Sequence, residues 1–126
     1  MKKIMIVDDE QDLREMIDLM LLKEGFQTNT AKNGTDLLNK IDVFQPDIIT
    51  LDVMMPGLTT LEILDKLKAK KTKPKIILLT VVRYSEEEKQ KLYKMGIVDY
   101  VTKPFELDDL IDKIHNHIKS LHSPAI

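Results

Sequence analysis

Short apolar runs recur along the chain, and each stops on a residue with chemistry to offer. Ile4-Met5-Ile6-Val7 stops at Asp8-Asp9, and Ile48-Ile49-Thr50-Leu51 stops at Asp52. Ile76-Ile77-Leu78-Leu79 stops at Thr80, and the run from Val98 to Val101 gives way to Lys103-Pro104. Between these strand-length runs the period changes. Leu13, Met16, Ile17, Met20 and Leu21 follow the i, i+3, i+4, i+7 spacing of a helix buried on one face. Gly25 suits its end, because glycine tolerates positive φ. Phe26–Ala31 reads as a more polar, edge-like strand. Asn33-Gly34 reads as a turn before a short helix marked by Leu37, Leu38 and Ile41. Thr59 with Glu62, and Ser85 with Glu88, have capping-box spacing and open the next two helices. Leu61, Leu64 and Leu67 continue the first of these, and Gly96 ends the second. Leu107, Leu110, Ile111, Ile114 and Ile118 mark a last amphipathic helix.

The pattern predicts an α/β domain of five βα units. Continuously apolar strands are those of a parallel sheet covered on both faces. Right-handed crossovers leave few topologies, and the expected one is a doubly wound, flavodoxin-like (β/α)5 sheet with strand order 2-1-3-4-5. The domain is expected over residues 1–121, with 122–126 a flexible tail or the start of a linker. The fourth helix is the poorest in apolar residues, with only Leu92, Tyr93 and Met95 between Glu86 and Met95. Such a helix docks weakly and shifts easily.

With 126 residues, the chain suffices for one domain with one core. At 43% hydrophobic and 32% charged it has ordinary globular composition, and a net charge of −2 gives no broad field for nucleic acid or anionic membrane. It has no cysteine, which excludes disulfides and thiolate metal sites. Lys2-Lys3 before Ile4–Val7 resembles the start of a signal peptide. The apolar part ends at Asp8, short of the roughly 7–15 residues of an h-region, and no stretch approaches the roughly 20 of a membrane span. A cytoplasmic protein is expected, with no direct nucleic-acid or membrane partner.

A parallel sheet brings the ends of all these runs to its carboxyl edge, where sites form in open α/β sheets. Asp8, Asp9 and Asp52 then approach one another. At 4 Å and an effective dielectric near 20, each like pair costs about 4 kcal/mol, so either a carboxyl holds a proton or a cation sits among them. Oxygen ligands without His or Cys favour Mg²⁺ over zinc. The Lys103 ammonium and the Thr80 hydroxyl complete a site suited to a phosphoryl group, with a carboxylate as nucleophile.

Val7-Asp8-Asp9-Glu10, Leu51-Asp52-Val53-Met54-Met55-Pro56-Gly57, Leu79-Thr80 and Tyr100-Val101-Thr102-Lys103-Pro104-Phe105 together resemble a response-regulator receiver domain of two-component signalling, of the chemotaxis-regulator kind. The resemblance runs the length of the chain in the family's order. It implies that Asp52 accepts a phosphoryl group from a sensor histidine kinase. It implies that Asp8, Asp9, Asp52 and the Met54 backbone carbonyl hold Mg²⁺. Thr80 and Tyr100 would be a switch pair, and Lys103, before a cis Pro104, would bind the phosphoryl group. The implied readout is a downstream protein or a second copy, bound through the fourth helix, fifth strand and fifth helix. The implied role is that of a signalling protein, not an enzyme beyond phosphorylation and dephosphorylation of its own aspartate. Leu58-Thr59-Thr60 replace the family's usual Asp-Gly after Met-Pro-Gly. Val81 stands where a small residue is usual, and its bulk is expected to crowd the path between Thr80 and Tyr100. The segment from Thr80 to Gly96 is about one residue longer than usual.

Two rival functions come from other classes. A small aspartate-nucleophile phosphatase needs a second acid two residues after the nucleophile, where this chain has Met54. A constitutive interaction module would have no use for Asp8, Asp9, Asp52, Thr80 and Lys103 together. Lys66, Lys68, Lys70, Lys71, Lys73 and Lys75 form a basic run at a helix C-terminus, and a solvated face is expected there. His115 and His117 are two residues apart on the last helix and do not share a face, so they are not expected to share a metal; His122 follows near its end.

Overall fold

Strands that are apolar on both sides need a helical layer on each, and alternating βα units supply both. The computed structural model describes residues 2–122 of the chain. In order, its elements are β1 (Lys3–Val7), α1 (Gln11–Lys23), β2 (Gln27–Ala31), α2 (Gly34–Phe44) and β3 (Ile48–Asp52), followed by α3 (Thr60–Lys68), β4 (Lys75–Thr80), α4 (Glu86–Tyr93), β5 (Ile97–Thr102) and α5 (Leu107–His122). The strands form one parallel sheet in the order β2-β1-β3-β4-β5, as the hydrophobic pattern predicts.

Alternation along each strand divides the core. Met5, Val7, Ile49, Leu51, Ile76 and Leu78 pack toward Leu37, Ile41, Ile63, Leu64 and Leu92 of α2, α3 and α4. Ile4, Ile6, Ile48, Ile77 and Leu79 pack toward Ile17, Leu21, Leu110, Ile111 and Ile114 of α1 and α5. β2 is the polar edge strand, with only Ala31 buried. α5 continues through His122, and the tail expected beyond it lies, from Ser123 on, outside the described residues. No helix among the described residues is long and apolar enough to cross a membrane.

Helix ends follow local chemistry. Both capping boxes form, Thr59 with Glu62 and Ser85 with Glu88. Gly25 and Gly96 sit at φ of 91° and 101°, in the left-handed region that glycine enters without cost. Asn33-Gly34 is a correction to the sequence reading. It is a helix start rather than a turn, since the Asn33 side chain accepts from the Asp36 amide at 2.8 Å and Gly34 is the first residue of α2. Asn is a strong N-cap, and that local bond outweighs the pair's turn preference. As expected, α4 buries little; Leu92 is its one buried residue.

Gly34 is required by packing rather than by its backbone angles. A Cβ there would meet Ile63 Cδ1 at 2.6 Å and Cγ1 at 2.7 Å, where α2 and α3 touch. Alanine ordinarily stabilises such a helical site by about 0.4–1 kcal/mol, but overpacking a closed core costs about 1–3 kcal/mol. Gly34→Ala is therefore expected to lower the free energy of unfolding by about 1–2 kcal/mol in urea melts. Gly34→Ala with Ile63→Val should recover part of that loss; a stabilised single variant would contradict this packing.

Candidate functional site

Strand register assembles the site. Val7 pairs with Leu51, so Asp8 and Asp52 leave adjacent strands side by side. Asp52 pairs with Leu79, and Thr80 with Thr102. Backbone bonds hold the strand ends in line. The Asp8 amide donates to the Ala31 carbonyl at 3.1 Å, the Val53 amide to Leu79 at 3.1 Å and the Lys103 amide to Thr80 at 2.9 Å. The Lys103–Pro104 peptide is cis, as the resemblance implies.

Asp8 and Asp52 are buried, at 0% and 2% exposure, whereas Asp9 is exposed. One oxygen from each of the three carboxylates lies within 4.8 Å of the others. Lys103 Nζ donates to Asp52 Oδ1 at 3.2 Å and lies 3.9 Å from Asp8 Oδ2. The amides of Glu10 and Met54 donate to Asp8 Oδ1 at 2.9 Å and to Asp52 Oδ1 at 3.2 Å. Burial pushes both carboxyls above the usual carboxylate range. For Asp8, the Glu10 amide opposes the rise and the neighbouring Asp52 charge adds to it; for Asp52, the Met54 amide and Lys103 oppose it.

One ammonium among three carboxylates leaves negative charge uncompensated. Asp8 Oδ2 is also buried without a hydrogen-bond partner, a costly state for a charged oxygen. The cluster is the one group of potential metal-binding acids among the described residues, and all its donors are oxygens. That donor set fits a hard divalent cation such as Mg²⁺.

Thr80 is buried, with 1% exposure, and its Oγ1 accepts from the Val82 amide at 2.9 Å, which leaves its hydroxyl hydrogen free to donate elsewhere. Tyr100 packs on the α2–α4 side of the sheet with its hydroxyl already enclosed. The expected crowding by Val81 is not found. Val81 is 56% exposed and borders a hollow lined by Leu13, Met16, Lys103 and Phe105. Val81 thus lies on the α1–α5 side of the sheet, and Tyr100 packs on the other.

The remaining polar features are engaged elsewhere. Lys70 pairs with Asp42 at 3.0 Å, and Lys73 and Lys75 donate to the carbonyls of Lys68 and His117. His115 meets Glu24 at 2.9 Å and His117 meets Asp99 at 3.0 Å, on different elements as their spacing predicts. Sequence reasoning missed Arg14, whose guanidinium donates to the Asp8 carbonyl at 2.8 Å and ties α1 to the acidic turn. Its place one turn beyond Glu10 was the available signal. It also missed Tyr84, whose ring lies against Tyr100 and which no periodicity marks.

Comparison with known proteins agrees with this geometry. Residues 4–115 match the family model of the response regulator receiver domain. Among solved structures, the chemotaxis response regulator CheY4 of Vibrio cholerae is 29% identical with a TM-score of 0.82, over 92% of this chain and 98% of that one. The receiver domain of Francisella response regulator 1452 is 30% identical with a TM-score of 0.83, over 96% and 99% of the two chains. Response regulator TrrA of Thermotoga maritima, solved in complex with Mg²⁺ and BeF, is 36% identical with a TM-score of 0.74, over 92% and 98%. With the fold, the strand-end chemistry and these likenesses in agreement, the chain belongs to the response regulator receiver domain family of two-component signalling.

Proposed function

We propose that this receiver takes a phosphoryl group onto Asp52 from the phosphohistidine of a sensor histidine kinase, in a Mg²⁺-dependent reaction. The observation that carries this reading is the buried Asp52 carboxylate, held by Lys103 beside Asp8, whose own buried Oδ2 has no hydrogen-bond partner. Asp8, Asp9, Asp52 and the Met54 carbonyl would hold the ion, and Mg²⁺ there supplies the positive charge that lets an anionic phosphoryl group enter an acidic site. One Asp52 oxygen attacks phosphorus, the phosphorus–nitrogen bond of the donor breaks, and the imidazole leaves. Lys103 neutralises a phosphoryl oxygen, and the Thr80 hydroxyl, whose hydrogen is uncommitted, donates to another.

The product is a signal carried on the protein rather than a released metabolite. Its readout would lie on α4, β5 and α5, through a downstream protein or a second copy. α4 buries only Leu92 and exposes Lys91, Tyr93 and Lys94, so a small change in free energy shifts its packing. Residues 1–121 would constitute the receiver, acting in the cytoplasm.

With Mg²⁺ and acetyl phosphate, intact-mass measurement should show one added phosphoryl group on the protein. Asp52→Asn or chelation should abolish it. Labelling of Asp52→Asn to the wild-type level would place the acceptor elsewhere.

A second expectation concerns stability. A carboxyl whose folded pKa is raised penalises folding above that pKa, and the penalty fades as pH falls through it. Asp8→Asn, without divalent cation, should raise the melting temperature at pH 7–8 by about 3–6 °C, with the gain shrinking toward acid pH. Mg²⁺ should stabilise the wild type and have little effect on Asp8→Asn. A variant that melts below the wild type at neutral pH, or gains equally from Mg²⁺, would contradict the assignment.

A third concerns lifetime. Met54 and Val82, two residues beyond Asp52 and Thr80, are 64% and 41% exposed and carry no group that can orient water. Met54→Asn with Val82→Glu should shorten the phosphorylated half-life several-fold by chromatographic assay. An unchanged or longer half-life would remove these residues from that role.

A further inference from the structure

All three tyrosines of the chain meet in one cluster, and the chain has no tryptophan. Tyr84 and Tyr93 flank Tyr100 with ring centroids 5.4 Å and 6.0 Å away, tilted by 42° and 57°. These are favourable tilted geometries for aromatic pairs. The Tyr100 hydroxyl is buried without a hydrogen-bond partner. Tyr84 immediately precedes the Ser85 cap of α4, and Tyr93 is the last residue of that helix. The two ends of the weakly buried helix thus grip one ring of β5.

We infer that Tyr84 is a positioning residue that holds Tyr100 in its enclosed place and couples that place to the phosphoryl site through the segment from Thr80 to Tyr84. The inference rests on the proposed phosphorylation of Asp52 for its functional half, and on the ring geometry for its structural half. An unmade hydrogen bond on Tyr100 favours release of the ring to water, and the two aromatic contacts oppose release. The opposition of these effects makes the ring's placement a balance that one contact can tip. Burial pushes the Tyr100 phenol up to about 12, consistent with a sequestered hydroxyl. The connection to the site is short. Thr80 Oγ1 accepts from the Val82 amide at 2.9 Å, and Val82 is two residues from Tyr84. When the Thr80 side chain moves toward a phosphoryl group, the segment bearing Tyr84 moves with it or that bond breaks. By reciprocity, a change at Tyr84 alters the affinity of the site for a phosphoryl mimic.

The test uses the whole chain labelled with ¹³C at tyrosine Cζ, in mixed H₂O and D₂O, where a slowly exchanging hydroxyl gives two lines and a solvated one gives an average. Tyr100→Phe assigns the signal. Wild type and Tyr84→Phe, which keeps the ring, should show the doubled Tyr100 line, and Tyr84→Leu should show one line. Tyr84→Leu should also change the affinity for beryllofluoride, with Mg²⁺ present, by about threefold to tenfold, with Tyr84→Phe near wild type. If Tyr84→Leu loses the amide spectrum of a folded chain, Tyr84→Met takes its place. A single Tyr100 line in wild type, a doubled line in Tyr84→Leu, or a collapsed line with unchanged beryllofluoride affinity would each overturn the inference. Failure of the wild type to bind beryllofluoride at all would overturn the reading of Asp52, and the Cζ signals would still decide the placement of the ring.

Discussion

The enforced approach of Asp8 and Asp52 is the interaction on which the rest depends. Parallel pairing of β1 with β3, fixed by Val7 opposite Leu51, leaves two buried carboxylates next to each other. At an effective dielectric near 20, such a pair repels by about 4 kcal/mol at 4 Å. Only the surrounding sheet makes the arrangement tenable. Ile4, Ile6, Ile48, Ile49 and Leu51 are fully buried in the same strands, and their burial resists any shift of register that would relieve the charges. Lys103 and two backbone amides offset part of the repulsion. The remainder is what a cation would relieve, so part of the binding energy for a cation is stored in the fold before it arrives.

Function on this fold separates into a rigid part and a loose one. Asp8 and Asp52 sit at the ends of the central strands β1 and β3, where packing leaves little freedom, and Lys103 is tied to both. The segment after Thr80, and α4, are lightly held. Thr80 keeps a free hydroxyl hydrogen, and α4 buries one residue and is closed off by two tyrosines. A chemical event confined to the rigid edge can therefore alter a distant surface without disturbing the core.

How legible this was in the sequence depended on the range of the forces involved. Strand cores, capping boxes and the order of the acids along the sheet edge follow from period, local hydrogen bonds and chain direction, and all of these stand in the structure. Asn33-Gly34 misled because the dipeptide suits either a turn or a cap, and only the Asp36 amide decides. The end of α2 carried no glycine signal, since Gln45 takes the left-handed position at φ 52° ahead of Pro46. The exposure of Val81 and the enclosure of the Tyr100 hydroxyl are tertiary facts. Knowing them requires knowing which face of the sheet each side chain takes beyond the strand end, and no local pattern encodes that. Arg14 lay in plain view on α1, but its bond to a carbonyl, rather than to the nearby carboxylates, appears only in three dimensions.

The central claim is that Asp8 and Asp52 form a strained acidic pair awaiting a cation. Carboxyl ¹³C titration of the two residues, recorded with and without Mg²⁺, tests it most directly. Without the ion, both should titrate above the ordinary aspartate range, as burial dictates. With Mg²⁺, both should fall well below their metal-free values. Titration of both residues in the ordinary range, unmoved by Mg²⁺, would contradict it.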